Sequence, residues 1–136
     1  MKEEKIAYIN PENMMTPRGF SQVVTVYGNH KTIYVGGQDA VDENGNTVGK
    51  GSLKLQTKQV LVNIEKALAA AGAGLENVIK WNVYLVQGQN PQEGFEVFRE
   101  KWGSRQNPPT LTVLFVAGLA NPEWLIEIDA IAVITE

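Results

Sequence analysis

Apolar and polar positions change period several times along this 136-residue chain, and each change marks an element. Residues 21–29 (SQVVTVYGN) and 30–38 (HKTIYVGGQ) are short and rich in β-branched and aromatic residues, with Gly28-Asn29-His30 between them. They predict two strands joined as a hairpin. The stretch DAVDENGNTVGKGS is dense in Asp, Asn and Gly and predicts a surface loop turning at Asn44-Gly45. Ser52 then stands where an N-cap is wanted, and Val60, Leu61, Ile64, Ala67, Leu68 and Ala71 recur at helical spacing until Gly72. VIKWNVYLV alternates, with Ile79, Trp81, Val83 and Leu85 on one face and Lys80, Asn82 and Tyr84 on the other, as a strand does. Asn90, Pro91 and Glu93 supply an N-cap, a first-turn proline and a capping-box acid, and Phe95, Phe98 and Trp102 line a second helix that Gly103 ends. TLTVLFVAG and WLIEIDAIAVIT predict two closing strands separated by LANPE.

The order β-β-α-β-α-β-β predicts an α+β domain spanning residues 1–136, with two helices on one face of a mixed sheet. In the last strand Trp124, Ile126, Ile128, Ala130, Ala132 and Ile134 alternate with Leu125, Ile131 and Val133, so both faces are largely apolar. Two helices leave the second face uncovered, which predicts a homo-oligomer packed through its sheets.

That same strand carries two acids, Glu127 and Asp129, on the face of Leu125 and Ile131. A carboxyl placed there is paired, hydrogen-bonded or shifted upward in pKa, and the last case makes a general base or acid near neutral pH. The competing reading is an ion pair with a Lys or Arg at a sheet edge or subunit seam, and for Asp129 a structural role tied to a neighbouring strand or subunit is expected.

Composition narrows the chemistry further. The chain has no cysteine, which excludes disulfides, thiolate metal sites and Cys nucleophiles. Its formal charge is −3 with no basic cluster, so nucleic acid is not an expected partner. No run approaches the roughly 20 apolar residues that cross a bilayer, and MKEEKIAYINPEN lacks the apolar core of a signal peptide; no membrane association and a cytoplasmic location are expected. His30 is the only histidine and lies in a turn, where a surface role is the simpler one. Ser21, Ser52 and Ser104 have no His-acid partners for a hydrolase triad, and GAG and GKGS lack the context of a phosphate loop.

Taken together, the strand ending in Gly37-Gln38, the long helix, LENVIKWNVYLVQ, a second helix ending in an aromatic, a Pro-containing turn and the closing IEIDAIAV resemble the reactive intermediate deaminase (Rid, YjgF) family over nearly the whole chain. The resemblance implies a chorismate-mutase-like fold and a homotrimer with a barrel-like core and three clefts between subunits. It also implies hydrolysis of reactive imines and enamines such as 2-aminoacrylate to a carbonyl compound and ammonia, with no metal or organic cofactor. Carried over by position, Glu127 falls on the acid that activates the attacking water, and Gly37 on a backbone group lining the cleft. The family's deaminases place an Arg after the second helix to grip the substrate carboxylate, and here NPPTLTV puts Thr110 at that point. One neutral hydroxyl replaces a bidentate charge-assisted clamp, so an α-imino acid should bind much more weakly. Phe20 stands where the family has a Tyr, as a cleft wall or as core packing, and Phe95 falls on a family Asn. Arg18, two residues before Phe20, either supplies a guanidinium from another direction, if its loop borders the cleft, or is a solvated loop arginine. Two functions follow: deamination of a small imine or enamine with non-standard recognition, or non-catalytic binding of a small metabolite by a regulatory trimer. RNA cleavage, a third activity attached to family names, has neither a basic groove nor a His-based pair to support it.

Overall fold

The structure, a computed structural model, describes residues 5–136; the start of the mixed-charge N-terminal segment lies outside them. The elements are β1 (Ile6–Ile9), β2 (Val23–Val26), β3 (His30–Gln38), α1 (Leu53–Ala70), a 3₁₀ turn (Leu75–Asn77), β4 (Val78–Val86), α2 (Pro91–Trp102), β5 (Thr110–Val116) and β6 (Ile126–Thr135).

Both helices begin and end where their sequence signals stand. The Ser52 hydroxyl accepts from the Leu55 N–H, and the Asn90 side chain accepts from the Gln92 N–H beside Pro91 at the first turn. Gly72 and Gly103 take φ of +81° and +64° just past the two helix ends, a conformation costly for any residue with a Cβ.

Four strands form one sheet in the order β3-β6-β4-β5, in which β6 runs antiparallel to both neighbours and β4–β5 is parallel. A parallel pair needs a long crossover, and α2 supplies it. The expected hairpin does not form. β2 pairs instead with β1, a four-residue strand absent from the sequence reading, and β3 turns away at Gly28 to lie along β6. The longer ladder decides this: β3 and β6 are nine and ten residues long, whereas β2 has only four to offer. Ser21 ties the two sheets together, its N–H donating to the Pro109 carbonyl and its hydroxyl to that of Pro108.

One face of the large sheet carries the core. Ile33, Val35, Trp81, Leu85, Ile126, Ile128, Ala130 and Ala132 are buried there against Leu53, Val60, Leu61, Ile64 and Leu68 of α1. Trp81 meets the edge of Phe98 at 5.5 Å, which locks α2 onto the same face. The phase of β4 differs from strict alternation at its start. A register shift between Val78 and Lys80 turns Val78, fully buried, onto the helix side in place of Ile79.

Gln56 is the one amide sealed in this core, and it is fully satisfied. Its Nε2 donates to the carbonyls of Gly49 and Glu123, and its Oε1 accepts from the Leu125 N–H. It thereby fixes the entry to β6, two residues ahead of Glu127. Gln56→Leu strands three backbone groups, so a loss of about 2–4 kcal/mol is expected in urea unfolding; a loss below about 1 kcal/mol would show that water or rearrangement replaces these bonds.

No helix of the described residues covers the other face of the sheet. Tyr34 is 78% exposed there and Leu114 49%, beside Thr112, Asn82, Tyr84, Glu127, Asp129 and Ile131.

Candidate active site

The open face holds the site, and sheet register builds it. Glu127 lies opposite Tyr84 on β4, and Tyr84 beside Leu114 on β5, so these side chains share one row across the sheet. Asp129 and Asn82 share the next row. The expected structural role of Asp129 is met: its two oxygens accept from Asn82 Nδ2 at 2.8 Å and from the Tyr84 hydroxyl at 3.0 Å. That bond, then burial and the negative charges of Asp129 and Glu127, raise the Tyr84 pKa and keep it a neutral phenol.

On its other side Glu127 meets β3. A Cβ built on Gly37 would lie 2.6 Å from Glu127 Oε2, so the carboxylate rests against bare backbone. Beside it stands Asp39, which the sequence reading left in a surface loop. Its pKa is raised from the ordinary 3.8 to about 7, by burial first and then by a hydrogen bond to Glu127 and by that residue's charge. Of two neighbouring acids, one keeps its proton more readily than both ionise. The ion-pair alternative is not met among the described residues. Among the described residues the salt bridges are Lys50–Glu123, Lys54–Glu96 and Lys101–Glu65, and none reaches the site.

Thr110 and Phe95 lie apart from Glu127 in a single chain. Thr110 stands two same-face rows further along the sheet, roughly 13 Å at the strand rise, with its hydroxyl donated to the Ile79 carbonyl at 3.2 Å. Phe95 is on α2, across the sheet, lining an apolar cavity with Trp81, Phe98 and Ile128. Arg18 is exposed and Phe20 half-buried in the segment leading to β2. His30 closes on its own turn, its Nδ1 2.9 Å from the Gly28 carbonyl. Among the described residues no group of three or more His, Cys, Asp or Glu side chains is arranged to hold a metal ion.

Chemically, the open face offers the Glu127 carboxyl, a neutral phenol and, in Asp39, an acid whose pKa is raised to about 7. That set can take a proton from water and return one to a leaving group. Asn82 and Tyr84 had a sequence signal, since strand parity sets them together opposite the core face. Asp39 had none, because its partner is supplied by a strand at the far end of the chain.

Comparison with known proteins agrees with this architecture. The family model described as Endoribonuclease L-PSP matches residues 12–134. A RutC family protein of Pyrococcus horikoshii is 38% identical over 122 residues, covering 89% of this chain and 92% of its own length. The human 2-iminobutanoate/2-iminopropanoate deaminase is 32% identical over 114 residues, 84% of this chain and 79% of that protein. Among solved structures, YyfB of Yersinia pestis, a Rid family protein of unknown function, superposes with a TM-score of 0.82 at 34% identity, over 95% of this chain and 98% of that one. The fold is therefore chorismate-mutase-like, as the family resemblance implied. With a model matched almost end to end and relatives above 30% identity, this chain belongs to the Endoribonuclease L-PSP family, which includes the RutC, YjgF and Rid proteins.

Proposed function

We propose that the chain is a hydrolytic deaminase of small imines and enamines, working as a cytoplasmic homotrimer whose three clefts are each walled by the open sheet face. The observation that carries this reading is the position of Glu127: a carboxylate on an uncovered strand face, seated on Gly37 backbone and lacking a cationic partner among the described residues. The name of the human relative supports the same reaction class. The exposed Tyr34 and Leu114 beside the site support burial of this face by further copies.

The chemistry balances without a cofactor. Glu127 takes a proton from water as the water oxygen bonds to the iminium carbon, and the C=N π pair moves to nitrogen to give a carbinolamine. The protonated Glu127 then gives its proton to that nitrogen, the C–N bond breaks as the oxygen lone pair closes the carbonyl, and the hydroxyl proton passes through Glu127 to the departing ammonia, which leaves as ammonium and restores the carboxylate. One iminium and one water give one carbonyl compound and one ammonium ion. Positioned proton transfer of this kind contributes about 10²–10⁴-fold to rate. RNA is disfavoured as substrate, because a row of acids repels a phosphodiester backbone.

Substrate recognition departs from the family pattern at Thr110, whose hydroxyl is committed to the Ile79 carbonyl. That commitment also favours the second reading, a trimer that binds a small metabolite without turning it over. Ammonia release from imines and enamines generated in place separates the two: acceleration over buffer supports the enzyme, and tight binding with no acceleration supports the binding protein. Thr110→Arg is expected to lower the KM for α-imino acids by about tenfold, since charge-assisted bidentate bonds are roughly twice as strong as neutral ones. An unchanged KM would mean that the substrate carboxylate is held elsewhere.

A further inference from the structure

We propose that Asp39 is a positioning residue for Glu127: its protonated carboxyl donates a hydrogen bond to the Glu127 carboxylate across the β3–β6 seam, so that one proton is held between them and Glu127 stays ionised and aimed at the cleft. The consequence for catalysis rests on the deaminase reading; the pairing itself does not.

Register supplies the first argument. From His30 to Val35, β3 is paired with β6 so that Val35 faces Ala130, and continuing that register would set Gln38 opposite Glu127. The irregularity between Val35 and Gln38 spends Gly36 and Gly37 as a bulge and brings Gln38 opposite Ile128 instead. Continued one step past the end of β3, the shifted register sets Asp39 toward Glu127. The bulge therefore exchanges an amide for an acid at the position facing the candidate base. Like charges directly opposite across a sheet destabilise it, unless one of them is neutral.

Local anchoring supplies the second. The Asp39 carbonyl accepts from the Val41 N–H at 2.8 Å and from Asn63 Nδ2, on α1, at 3.0 Å. Both bonds fix the Asp39 backbone just past the end of β3. Its Oδ1 is buried with no hydrogen-bond partner, an environment that a neutral carboxyl tolerates far better than a carboxylate. Gly37 leaves the space that Glu127 needs to reach it, since any larger residue there would meet Oε2 at 2.6 Å.

The surrounding charges supply the third. The titratable groups facing the pair are Asp129 on β6 and Tyr84 on β4, and the raised pKa of Tyr84 keeps it a neutral phenol. Asp129 has two donors of its own, Asn82 and Tyr84, and needs no further proton. No lysine or arginine among the described residues forms a salt bridge with any of the three acids. The remaining way to relieve the repulsion is to keep one proton on the pair, and Asp39, with its buried oxygen, is the member that carries it.

The pH dependence follows in sign. The folded protein holds the Asp39 proton up to about 7 against an ordinary 3.8, so the stability gained from the pair is complete at low pH and is lost as pH rises through that window. Above it two anions oppose each other, and Glu127 is pushed off its seat.

The test is a carboxyl-carbon NMR titration of the assembled protein, joined to a pH–rate profile. Asp39 is expected to titrate near neutrality in the wild type and to fall toward the ordinary aspartate range in Glu127→Gln. An ordinary midpoint in the wild type, or no movement in the variant, overturns the pairing, and neither result depends on turnover. In the rate profile Asp39→Ala is expected to lower kcat by ten- to a hundredfold, the scale of a misplaced catalytic group, whereas Asp39→Asn, which donates the same hydrogen bond at every pH, rescues most of that loss and removes the alkaline fall. Two variants that track the wild type at every pH, or an Asn variant as inactive as the Ala one, would overturn the positioning role. If no imine is turned over by the wild type, the deaminase reading fails and the titration still decides the pair.

Discussion

Glu127→Gln lowers ammonia release from small imines by about a thousandfold, within the range for losing a positioned base, and leaves the fold and the assembly intact. Glutamine keeps the length and shape of the side chain but cannot accept a proton from water. Stability should not suffer, since Glu127 forms no salt bridge among the described residues and its neighbour across the seam is another acid. The substituted amide can accept a hydrogen bond from protonated Asp39 or donate one to its ionised form. The expected pattern is therefore a fall in kcat with little change in KM and an unchanged melting temperature, read by initial rates, light scattering and thermal unfolding. A fall of less than tenfold would mean that another group activates the water.

Gly37→Ala carries the second large effect, and it separates activity from stability. The new Cβ would stand 2.6 Å from Glu127 Oε2 and 2.8 Å from its Cδ, closer than Cβ atoms approach anything. The obstacle is the end of a flexible side chain, so the collision is relieved by rotating Glu127 away rather than by moving backbone. The fold loses little, while the base is displaced by about an ångström or more. Displacement of that size costs roughly a hundredfold in rate. A kcat reduced by that factor, with a melting temperature within a few degrees of wild type, is the expected outcome. Full activity in Gly37→Ala would show that the seat of Glu127 on β3 is irrelevant to the chemistry.

Elements with local punctuation were legible in the sequence, and those decided by distant partners were not. Ser52, Gly72, Asn90, Pro91 and Gly103 bracket α1 and α2 because capping acts within one turn of the chain. The strands from Val78, Thr110 and Ile126 were marked by their apolar runs. The hairpin between residues 21–29 and 30–38 was misjudged because the Gly28 turn is compatible with two outcomes, and only the ten-residue partner β6 selects between them. β1 is not legible because IAYI is only four residues long. Ile79 was assigned to the core face because periodicity cannot register a bulge.

The candidate site divides in the same way. Glu127 stood out because an acid in a doubly apolar strand is costly, and that cost is visible in one dimension. Asp39 sits among the polar residues of DAVDENGN and looks like loop solvation until β6 is laid beside it. Asn82 and Tyr84 look like an ordinary polar face until Asp129 is found to receive both of their hydrogen bonds. Thr110 and Phe95 are separated from Glu127 within one chain, by rows of the sheet and by the sheet itself.

The most direct measurement is a crystal structure of the assembled protein with a carbonyl product bound. The product's carbonyl carbon is predicted to lie in a solvent-connected crevice between copies, with its oxygen within hydrogen-bonding reach of the Glu127 carboxylate beside Gly37. A Glu127 side chain neutralised by a neighbouring copy's lysine or arginine and closed off from water would contradict the account.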